Sequence, residues 1–205
     1  MSEGPAGHYF SPVPSAASRP APVRLDLPDL SLRLQADRGV FSAGHVDPGT
    51  RLLLLEAPPP PQRGDLLDLG CGYGPVALAL ATRAPEATVW AVDVNERARA
   101  LTRANAAAAG LANVRTVAPA EVPGDVRFAA VWSNPPVRIG KVALHDLLRT
   151  WLGRLAGGGH GLLVVHRHLG ADSLQRWLQG EGFQVARRLS RAGYRLLEVT
   201  RVGDA

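Results

Sequence analysis

Between residues 65 and 200, short apolar runs alternate with longer stretches of helical periodicity, and this alternation limits the possible folds more than any other feature. Strands separated by helices are typical of a mostly parallel sheet that helices cover on both faces. We predict seven strands, at residues 65–69, 88–93, 114–117, 128–133, 161–166, 184–189 and 194–200. We predict four helices between them, at residues 75–83, 96–109, 142–155 and 171–181. The pattern therefore predicts a doubly wound α/β domain.

The last two predicted strands are joined only by residues 190–193. A parallel crossover needs about a dozen residues or more. We therefore expect these two strands to pair antiparallel, so that a seven-stranded, mostly parallel sheet ends in an antiparallel last strand.

The segment upstream of the sheet carries two further signals. Leucines recur at even spacing between residues 25 and 34 around Pro28, which predicts a small N-terminal β extension. Asp47 followed by Pro48 predicts the start of a helix, with Asp as its N-cap and Pro in its first turn. The prolines at 58–61 should end that helix.

Length and composition limit the domain organisation and the compartment. A chain of 205 residues with 46% hydrophobic residues fits a single domain, predicted at 25–205, after a Pro-rich lead-in at 1–24. Its apolar runs are far shorter than the ~20 residues of a membrane span, and the N-terminus lacks a secretory signal pattern. We therefore expect a cytoplasmic protein. The single cysteine excludes an intrachain disulfide and any Cys-based zinc cluster, and we expect no metal site.

The charge balance favours a polyanionic partner such as RNA without deciding the question. The formal net charge is +5, and basic surfaces bind nucleic acid through phosphate contacts and counterion release. However, Lys141 is the only lysine among the 23 basic residues. Such an arginine bias can reflect genomic base composition, so charge alone leaves the nucleic-acid interpretation open.

A glycine-rich turn follows the first strand of the predicted sheet and precedes an Ala/Leu-rich helix. Glycine lets the backbone approach a ligand closely, and a helix N-terminus offers free N–H groups. A dinucleotide-binding fingerprint is the main alternative. Counted from Gly70, its third glycine falls on Pro75; counted from Gly72, Ala77 satisfies it but the motif starts late after the strand. The candidate cofactor ligands in this turn are Asp68, Gly70, Cys71, Gly72 and Gly74.

The second strand of the predicted sheet ends in Asp93, with Val94 beside it. A carboxylate about 20 residues beyond such a glycine turn can accept hydrogen bonds from both hydroxyls of a ribose. Asp93 is therefore the candidate ribose ligand. For Asp68 and Asp93 alike, an ordinary cap at a strand end is the structural alternative.

Asn134, Pro135 and Pro136 come directly after the fourth strand, at the edge where doubly wound sheets bind ligands. Two prolines stop the strand and stiffen the backbone. The nitrogen of an exocyclic amine or an amide is a poor nucleophile because its lone pair is delocalised. An Asn oxygen and a proline carbonyl that both accept its hydrogens can direct the lone pair toward a methyl donor. These three residues are therefore the candidate catalytic residues; a simple strand-to-helix turn is the alternative.

The turn at 68–74 resembles motif I of class I, Rossmann-like methyltransferases, and residues 134–136 resemble the Asn-Pro-Pro-aromatic signature of amino-methyltransferases that act on adenine, guanine or glutamine. The resemblance implies S-adenosylmethionine as the cofactor. Val137 departs from the signature, in which an aromatic residue stacks on the target. Phe41 is the candidate ring from another segment, with a plain core residue as the alternative.

The order of residues 39–42, 47–54, 68–74 and 133–136 is similar to that of the small-domain methyltransferase family. Its best-known members methylate the 2-amino group of guanine in small-subunit ribosomal RNA. The run from Val137 to Lys141 is closest to shorter archaeal-type members, and we expect no second, N-terminal domain of the kind that the bacterial ribosomal enzymes carry. The resemblance implies a cytoplasmic role in ribosomal RNA methylation and RNA processing. It places Thr50 beside the cofactor and implies the substrate contacts Phe41, Ser42, Val137, Arg138 and Lys141.

Two other functions remain open at this point. The same chemistry can act on a protein glutamine or a small molecule, or the chain can be a non-catalytic RNA-binding module that keeps only the shape of the cofactor site. Neither the methylated nucleotide nor the oligomeric state follows from the sequence.

Overall fold

The computed structural model describes residues 17–40, 42 and 44–203. Nine strands and five α-helices follow one another in these residues. The strands are β1 (Ala21–Asp26), β2 (Ser31–Ala36), β3 (Asp65–Leu69), β4 (Thr88–Val92), β5 (Val114–Val117), β6 (Phe128–Ser133), β7 (Leu155–His166), β8 (Phe183–Arg191) and β9 (Tyr194–Arg201). The helices are α1 (Pro48–Glu56), α2 (Pro75–Arg83), α3 (Glu96–Ala108), α4 (Lys141–Leu152) and α5 (Ala171–Gly180).

Seven strands form one sheet in the order β5-β4-β3-β6-β7-β9-β8. All neighbouring pairs are parallel except those of β9, which runs antiparallel to both β7 and β8. The predicted fold class is thereby confirmed. The chain moves outward from β3 to β5 and then returns to β6 on the other side of β3. The carboxyl ends of β3 and β6 therefore form the switch point where such sheets bind ligands.

The predicted N-terminal β extension is a separate antiparallel hairpin of β1 and β2. It begins at Ala21, four residues ahead of the predicted domain start at residue 25, so part of the lead-in is regular strand. Asn105 of α3 attaches the hairpin to the domain: its amide accepts from Gln35 N at 2.8 Å and donates to Gln35 O at 2.9 Å. The same amide donates to Tyr73 O at 2.8 Å, which links the hairpin to the glycine turn.

The predicted boundary between α4 and β7 is wrong. The sequence pattern extends the helix to Leu155, but α4 ends at Leu152, Gly153 is its C-cap, and Leu155 is the first residue of β7. Leu155 pairs with Phe128, the register then shifts, and regular pairing resumes at His160. A leucine three residues after Leu152 continues the helical periodicity, so only the pairing across the sheet reveals the strand.

Apolar side chains are buried on both faces of the sheet, as the doubly wound arrangement requires. Four of the five residues of β3 and of β4 are buried, which fixes the two strands whose ends carry the glycine turn and Asp93. Among the described residues, no helix is long and apolar enough to cross a membrane.

Candidate active site

Three glycines after β3 turn the backbone through conformations that other residues rarely adopt. Gly70, Gly72 and Gly74 have φ angles of 77°, 57° and 95°. The backbone N–H groups of Gly70 and Cys71 donate to Val92 O at 2.8 and 3.0 Å, which holds the turn against the end of β4. Because glycine has no Cβ, this turn exposes its backbone to the cleft above it.

Asp68 lies at the base of the turn and is buried. Its Oδ2 atom accepts a hydrogen bond from Ala77 N in the first turn of α2, at 2.8 Å. The N-cap residue of that helix is Gly74, which has no side chain to accept such a bond, so Asp68 supplies the acceptor. Burial, together with the nearby Asp93 carboxylate, raises the pKa of Asp68 to about 8.

Asp93 follows β4 and faces the same turn. One carboxylate oxygen accepts from Gly72 N at 3.0 Å and the other accepts from Asn95 N at 2.8 Å. Burial raises its pKa, while these backbone N–H groups and Arg99 lower it. The two carboxylates of Asp68 and Asp93 thus lie on either side of the glycine turn.

Asn134 follows β6, on the opposite side of β3 from Asp93. Ser133, the last residue of β6, is buried and donates from Oγ to Leu69 O at 2.7 Å, which locks the end of β6 to that of β3. The Asn134 Nδ2 atom then donates to Asp47 Oδ1 at 2.8 Å and to Thr50 Oγ1 at 3.0 Å. Because both Nδ2 hydrogens are used, the Oδ1 atom is left to accept a hydrogen bond.

Asp47 has two roles at this point. As predicted, it is the N-cap of α1, and its Oδ1 atom accepts from Gly49 N at 2.8 Å and from Thr50 N at 3.1 Å. The same oxygen accepts from Asn134. The ring of Tyr194 packs against Gly49 so closely that a Cβ there would lie 2.7 Å from Tyr194 Cε1. The start of α1 is therefore held between β6 and β9.

Ser42 and Asp47, which precede α1, line the cleft. Ser42 has a φ of 59°, which is unusual for a residue with a side chain. Its hydroxyl donates to His45 O at 2.8 Å, and the Tyr73 hydroxyl donates to the same oxygen at 3.2 Å. These bonds attach the segment to the glycine turn.

One cleft brings together many of the predicted site residues. Its lining includes the predicted residues Ser42, Thr50, Asp68, Gly70, Cys71, Gly72 and Asn134. The other lining residues, which sequence reasoning did not assign to the site, are Asp47, Tyr73, Pro75 and Val76. Gly74, Asp93, Val94 and residues 135–141 adjoin this cleft along the chain but do not line it. Phe41 lies outside the described residues.

Thr50 and Cys71, two lining residues of the cleft, have contacts that the sequence did not predict. Thr50 was expected beside a cofactor, and its hydroxyl contacts Asn134. Cys71 is buried, its Sγ accepts from Thr102 Oγ1 at 3.6 Å, and burial raises the pKa of its thiol, so the sulfur stays neutral. Among the described residues, no group of three or more His, Cys, Asp or Glu side chains has the arrangement of a metal site.

Comparisons with known proteins give a consistent result. Residues 31–198 match the model of the methyltransferase small domain family. The uncharacterized protein YbxB of Bacillus subtilis (strain 168) is 33% identical over 198 residues, which cover 95% of this chain and 98% of that protein. The ribosomal RNA small subunit methyltransferase C of Pseudomonas syringae pv. syringae is 34% identical over 185 residues, which cover 80% of this chain and 53% of that enzyme.

A solved structure is similar over most of the chain. It is a 16S rRNA N2 methyltransferase of T. thermophilus in complex with AdoMet, or S-adenosylmethionine, and guanosine, with a TM-score of 0.74 and 25% sequence identity. The match covers 92% of this chain and 52% of that one. This chain therefore spans nearly the whole of YbxB and about half the length of the ribosomal RNA methyltransferases that it matches.

Proposed function

The chain belongs to the methyltransferase small domain family and is an S-adenosylmethionine-dependent methyltransferase, and from this premise we propose that it methylates the exocyclic 2-amino group of guanine in RNA. Residues 31–198 match the family model, which is most of the chain. The substrate and the role of each residue are proposals, and the following observations support them.

The cleft residues fit the cofactor. Gly70 leaves the surface of the turn without a side chain: a Cβ there would have one neighbour within 4 Å, Pro136 Cδ at 4.0 Å. We assign Asp93, which adjoins the cleft with Val94 beside it, to the ribose hydroxyls; each of its oxygens accepts one backbone N–H and keeps a further lone pair. Asp68 lines the cleft, and we assign its carboxyl group, ionised on binding, to the cationic part of the cofactor. The cofactor supplies an electrophilic methyl group bonded to a positively charged sulfur.

The orientation of the Asn134 amide is the single observation that carries the proposed chemistry. A carboxylate only accepts hydrogen bonds, so Asp47 requires the NH₂ group of Asn134 to face it. The Asn134 oxygen is therefore the acceptor for a substrate amine hydrogen. With the Pro135 carbonyl as a second acceptor, the amine lone pair is directed at the methyl donor. Pro136 stiffens the strand end that holds both groups.

The proposed reaction needs no strong base from the protein. With S-adenosylmethionine bound, the methyl group would pass from sulfur to the nitrogen that Asn134 and Pro135 orient, and the nitrogen's extra proton would pass to water. What the chain contributes is position: a preorganised acceptor at the nitrogen and a cofactor held beside it.

RNA is favoured over a protein glutamine by two facts. The chain has a net charge of +5, and the two named methyltransferases described above, at 34% and 25% identity, are ribosomal RNA methyltransferases. Guanine is favoured over adenine because the name of the T. thermophilus enzyme specifies N2 methylation and its structure holds guanosine.

The test is methyl transfer from labelled S-adenosylmethionine to unmodified small-subunit ribosomal RNA, to assembled small subunits and to ribosomal proteins. Digestion to nucleosides and mass spectrometry should find N2-methylguanosine. Methyl-glutamine, or N6-methyladenosine in its place, would contradict the proposal.

Asn134→Ala is the matched variant for the chemistry. Removal of one preorganised hydrogen-bond partner costs about 2–4 kcal/mol in the barrier, so kcat should fall roughly hundred- to thousandfold. Cofactor affinity, measured by calorimetry, should stay within a few-fold of the parent, because Asn134 acts on the amine. A near-normal kcat would rule out this role for Asn134.

A further inference from the structure

Two neighbouring loops at the active-site edge share one construction. After β6, a 3-10 turn (Val137–Ile139) leads to Gly140 with a φ of 96°, and α4 begins at Lys141. After β7, a 3-10 turn (Arg167–Leu169) leads to Gly170 with a φ of 95°, and α5 begins at Ala171. We call residues 137–141 and 167–170 the paired loops. Because β6 and β7 are parallel neighbours, both loops leave the same edge of the sheet.

The paired loops lie on the substrate side of the cleft. The glycine turn and Asp93 follow β3 and β4, whereas Asn134 follows β6, and β7 is the next strand away from the cofactor residues. A substrate that reaches Asn134 from the side away from these cofactor residues therefore crosses the ends of β6 and β7. The paired loops are the first surface on that path.

Each loop carries exposed positive charge. Arg138 and Lys141 are exposed on the first loop, and Arg167 is exposed on the second, with the exposed His168 beside it. Arg167 donates from Nε to His168 Nε2 at 3.0 Å, which leaves its Nη groups for another acceptor. The two loops that follow β6 and β7 thus carry three full positive charges.

The carboxylates of the following helices do not neutralise these charges. On α4, Asp146 is held by Arg149 at 2.7 Å. On α5, Asp172 is held by Arg187 at 2.7 Å and also by Arg195. Over residues 17–40, 42 and 44–203, no ion pair involves the cations of the paired loops, whereas nine arginines elsewhere are paired. Grouped, uncompensated cations are the electrostatic footprint of a polyanionic ligand.

Exposed aliphatic side chains accompany the cations. Val142, one residue after the first loop, is 76% exposed, and Leu169 in the second loop is 48% exposed. Apolar surface interleaved with cations fits a single-stranded nucleic acid, whose unstacked bases contact apolar groups while its phosphates contact the charges. A duplex would present its phosphates but keep its bases stacked inside.

We propose that a single-stranded RNA segment next to the target nucleotide lies across the paired loops, with its phosphates at Arg138, Lys141 and Arg167 and its bases against Val142 and Leu169. This inference rests on the proposed RNA substrate and adds the surface that holds it. In particular, it assigns the loop after β7 to substrate binding.

The test is fluorescence anisotropy of a labelled single-stranded RNA of ~20 nucleotides, with S-adenosylhomocysteine saturating the protein. Arg138→Gln with Arg167→Gln removes one charge from each loop. Arg33→Gln with Arg127→Gln is the matched control, because both arginines are exposed, lie in β2 and just before β6, form none of the ion pairs of the described residues, and the net charge changes equally.

The loop variant should bind RNA at least about tenfold more weakly near 0.1 M salt, and the slope of log K against log salt should fall by about 0.7 for each phosphate that the variant no longer binds. The control variant should keep the slope and weaken binding by less than about threefold. The thermal shift on adding S-adenosylhomocysteine should be the same in both, which shows that both are folded and bind the cofactor product.

The possible negative results separate a wrong binding surface from a wrong proposed function. If the parent protein methylates RNA but the two variants bind it equally, the paired loops are not the binding surface and the proposed function stands. If the parent prefers the corresponding duplex, or if polyglutamate displaces the RNA equally well, the single-strand assignment is wrong. If the parent neither binds nor methylates any RNA, the proposed function and this inference fail together.

Discussion

A carboxamide has two orientations of nearly equal shape, and the neighbours of Asn134 decide between them. Asp47 accepts from Asn134 Nδ2 at 2.8 Å and Thr50 accepts at 3.0 Å. Without these acceptors, a fraction of the protein molecules would have the amide flipped, with its NH₂ group facing the substrate. An NH₂ group repels the hydrogens of an amine. Asp47 and Thr50 are thus positioning residues for the proposed reaction.

Replacing Asp47 by Ser separates this role from helix capping. Serine is a good N-cap for α1, but its hydroxyl is one bond too short to serve Asn134. Loss of a hydrogen bond to a charged group costs about 1.5–3 kcal/mol, so kcat should fall roughly ten- to hundredfold in steady-state assays. The melting temperature and the KM for S-adenosylmethionine should change little.

Asp47→Asn is the control for this prediction. Its amide oxygen can still accept from Gly49, Thr50 and Asn134, so the rate should remain within a few-fold of the parent. Wild-type turnover in Asp47→Ser, or an equal loss in both variants, would contradict a positioning role.

Only part of this arrangement was predictable from the sequence. Asp47 before Pro48 indicated an N-cap, and the structure confirms it. The contact with Asn134 spans 87 residues of chain and depends on how α1 packs on the sheet, which no local pattern encodes. Phe41 as a stacking ring stays a prediction, since that residue lies outside the described part of the chain.

At the scale of elements, the glycine turn is the junction on which β3, α2, α3 and the N-terminal hairpin converge. A Cβ at Gly74 would lie 2.9 Å from both Leu78 Cδ1 and Thr102 Cγ2. Thr102 in turn donates to Gly72 O at 2.9 Å. The turn is therefore constrained both by its left-handed backbone and by close packing against α3.

Comparison of Gly74→Ala with Gly110→Ala separates these two constraints. Gly110 has a φ of 69°, but a Cβ there would meet no atom within 4 Å. Both variants should be destabilised by about 1–2 kcal/mol through the left-handed conformation, and only Gly74→Ala adds an overlap cost of about 1–3 kcal/mol. Urea unfolding should show this difference in the free energy of unfolding, and Gly74→Ala should also weaken cofactor binding. Equal destabilisation would mean that packing at Gly74 relaxes freely.

Element boundaries were predicted well where residues that end helices or strands mark the ends of an element. β3, β5, β6 and α2 have the predicted bounds, because glycine, proline, asparagine or charged residues lie at or next to their ends. The boundary between α4 and β7 failed because Leu155 continues a helical pattern while pairing with Phe128. The similar construction of the paired loops was also invisible in sequence, since the residues of their 3-10 turns differ.

Across the whole molecule, the active-site edge is divided by charge. The carboxyl groups of Asp68 and Asp93 lie at the ends of β3 and β4, where we propose that the cofactor binds. The cations of the paired loops follow β6 and β7, where an RNA would lie. A net charge of +5 gave no indication of this division, because many of the other arginines are held in ion pairs. The cofactor side is therefore expected to respond to pH through Asp68, and the RNA side to salt through the cations.

The pH response of the cofactor site follows from Asp68, which is the buried carboxyl at the base of the glycine turn. Its pKa is about 8 in the folded protein and about 4 in an unfolded chain. The folded state therefore holds a proton that the unfolded state has released, so this group's contribution to stability is present below pH ~4 and is lost as pH rises to ~8. A bound cation favours the ionised carboxylate, so cofactor binding should release a proton below pH 8.

We accordingly expect the affinity for S-adenosylmethionine to rise with pH, by up to about tenfold per unit between pH 6 and 7, where the ligand's own amine remains protonated. Calorimetry at pH 6.5 in two buffers with different ionisation enthalpies should detect up to one proton released. Asp68→Asn keeps an oxygen for Ala77 N but has no proton to lose, so its weaker binding should be independent of pH, and its unfolding free energy should not fall between pH 5 and 8 as that of the parent does. An affinity of the parent protein that stays constant over this range, with no proton released, would mean that Asp68 stays protonated beside the cofactor and acts only as the cap of α2.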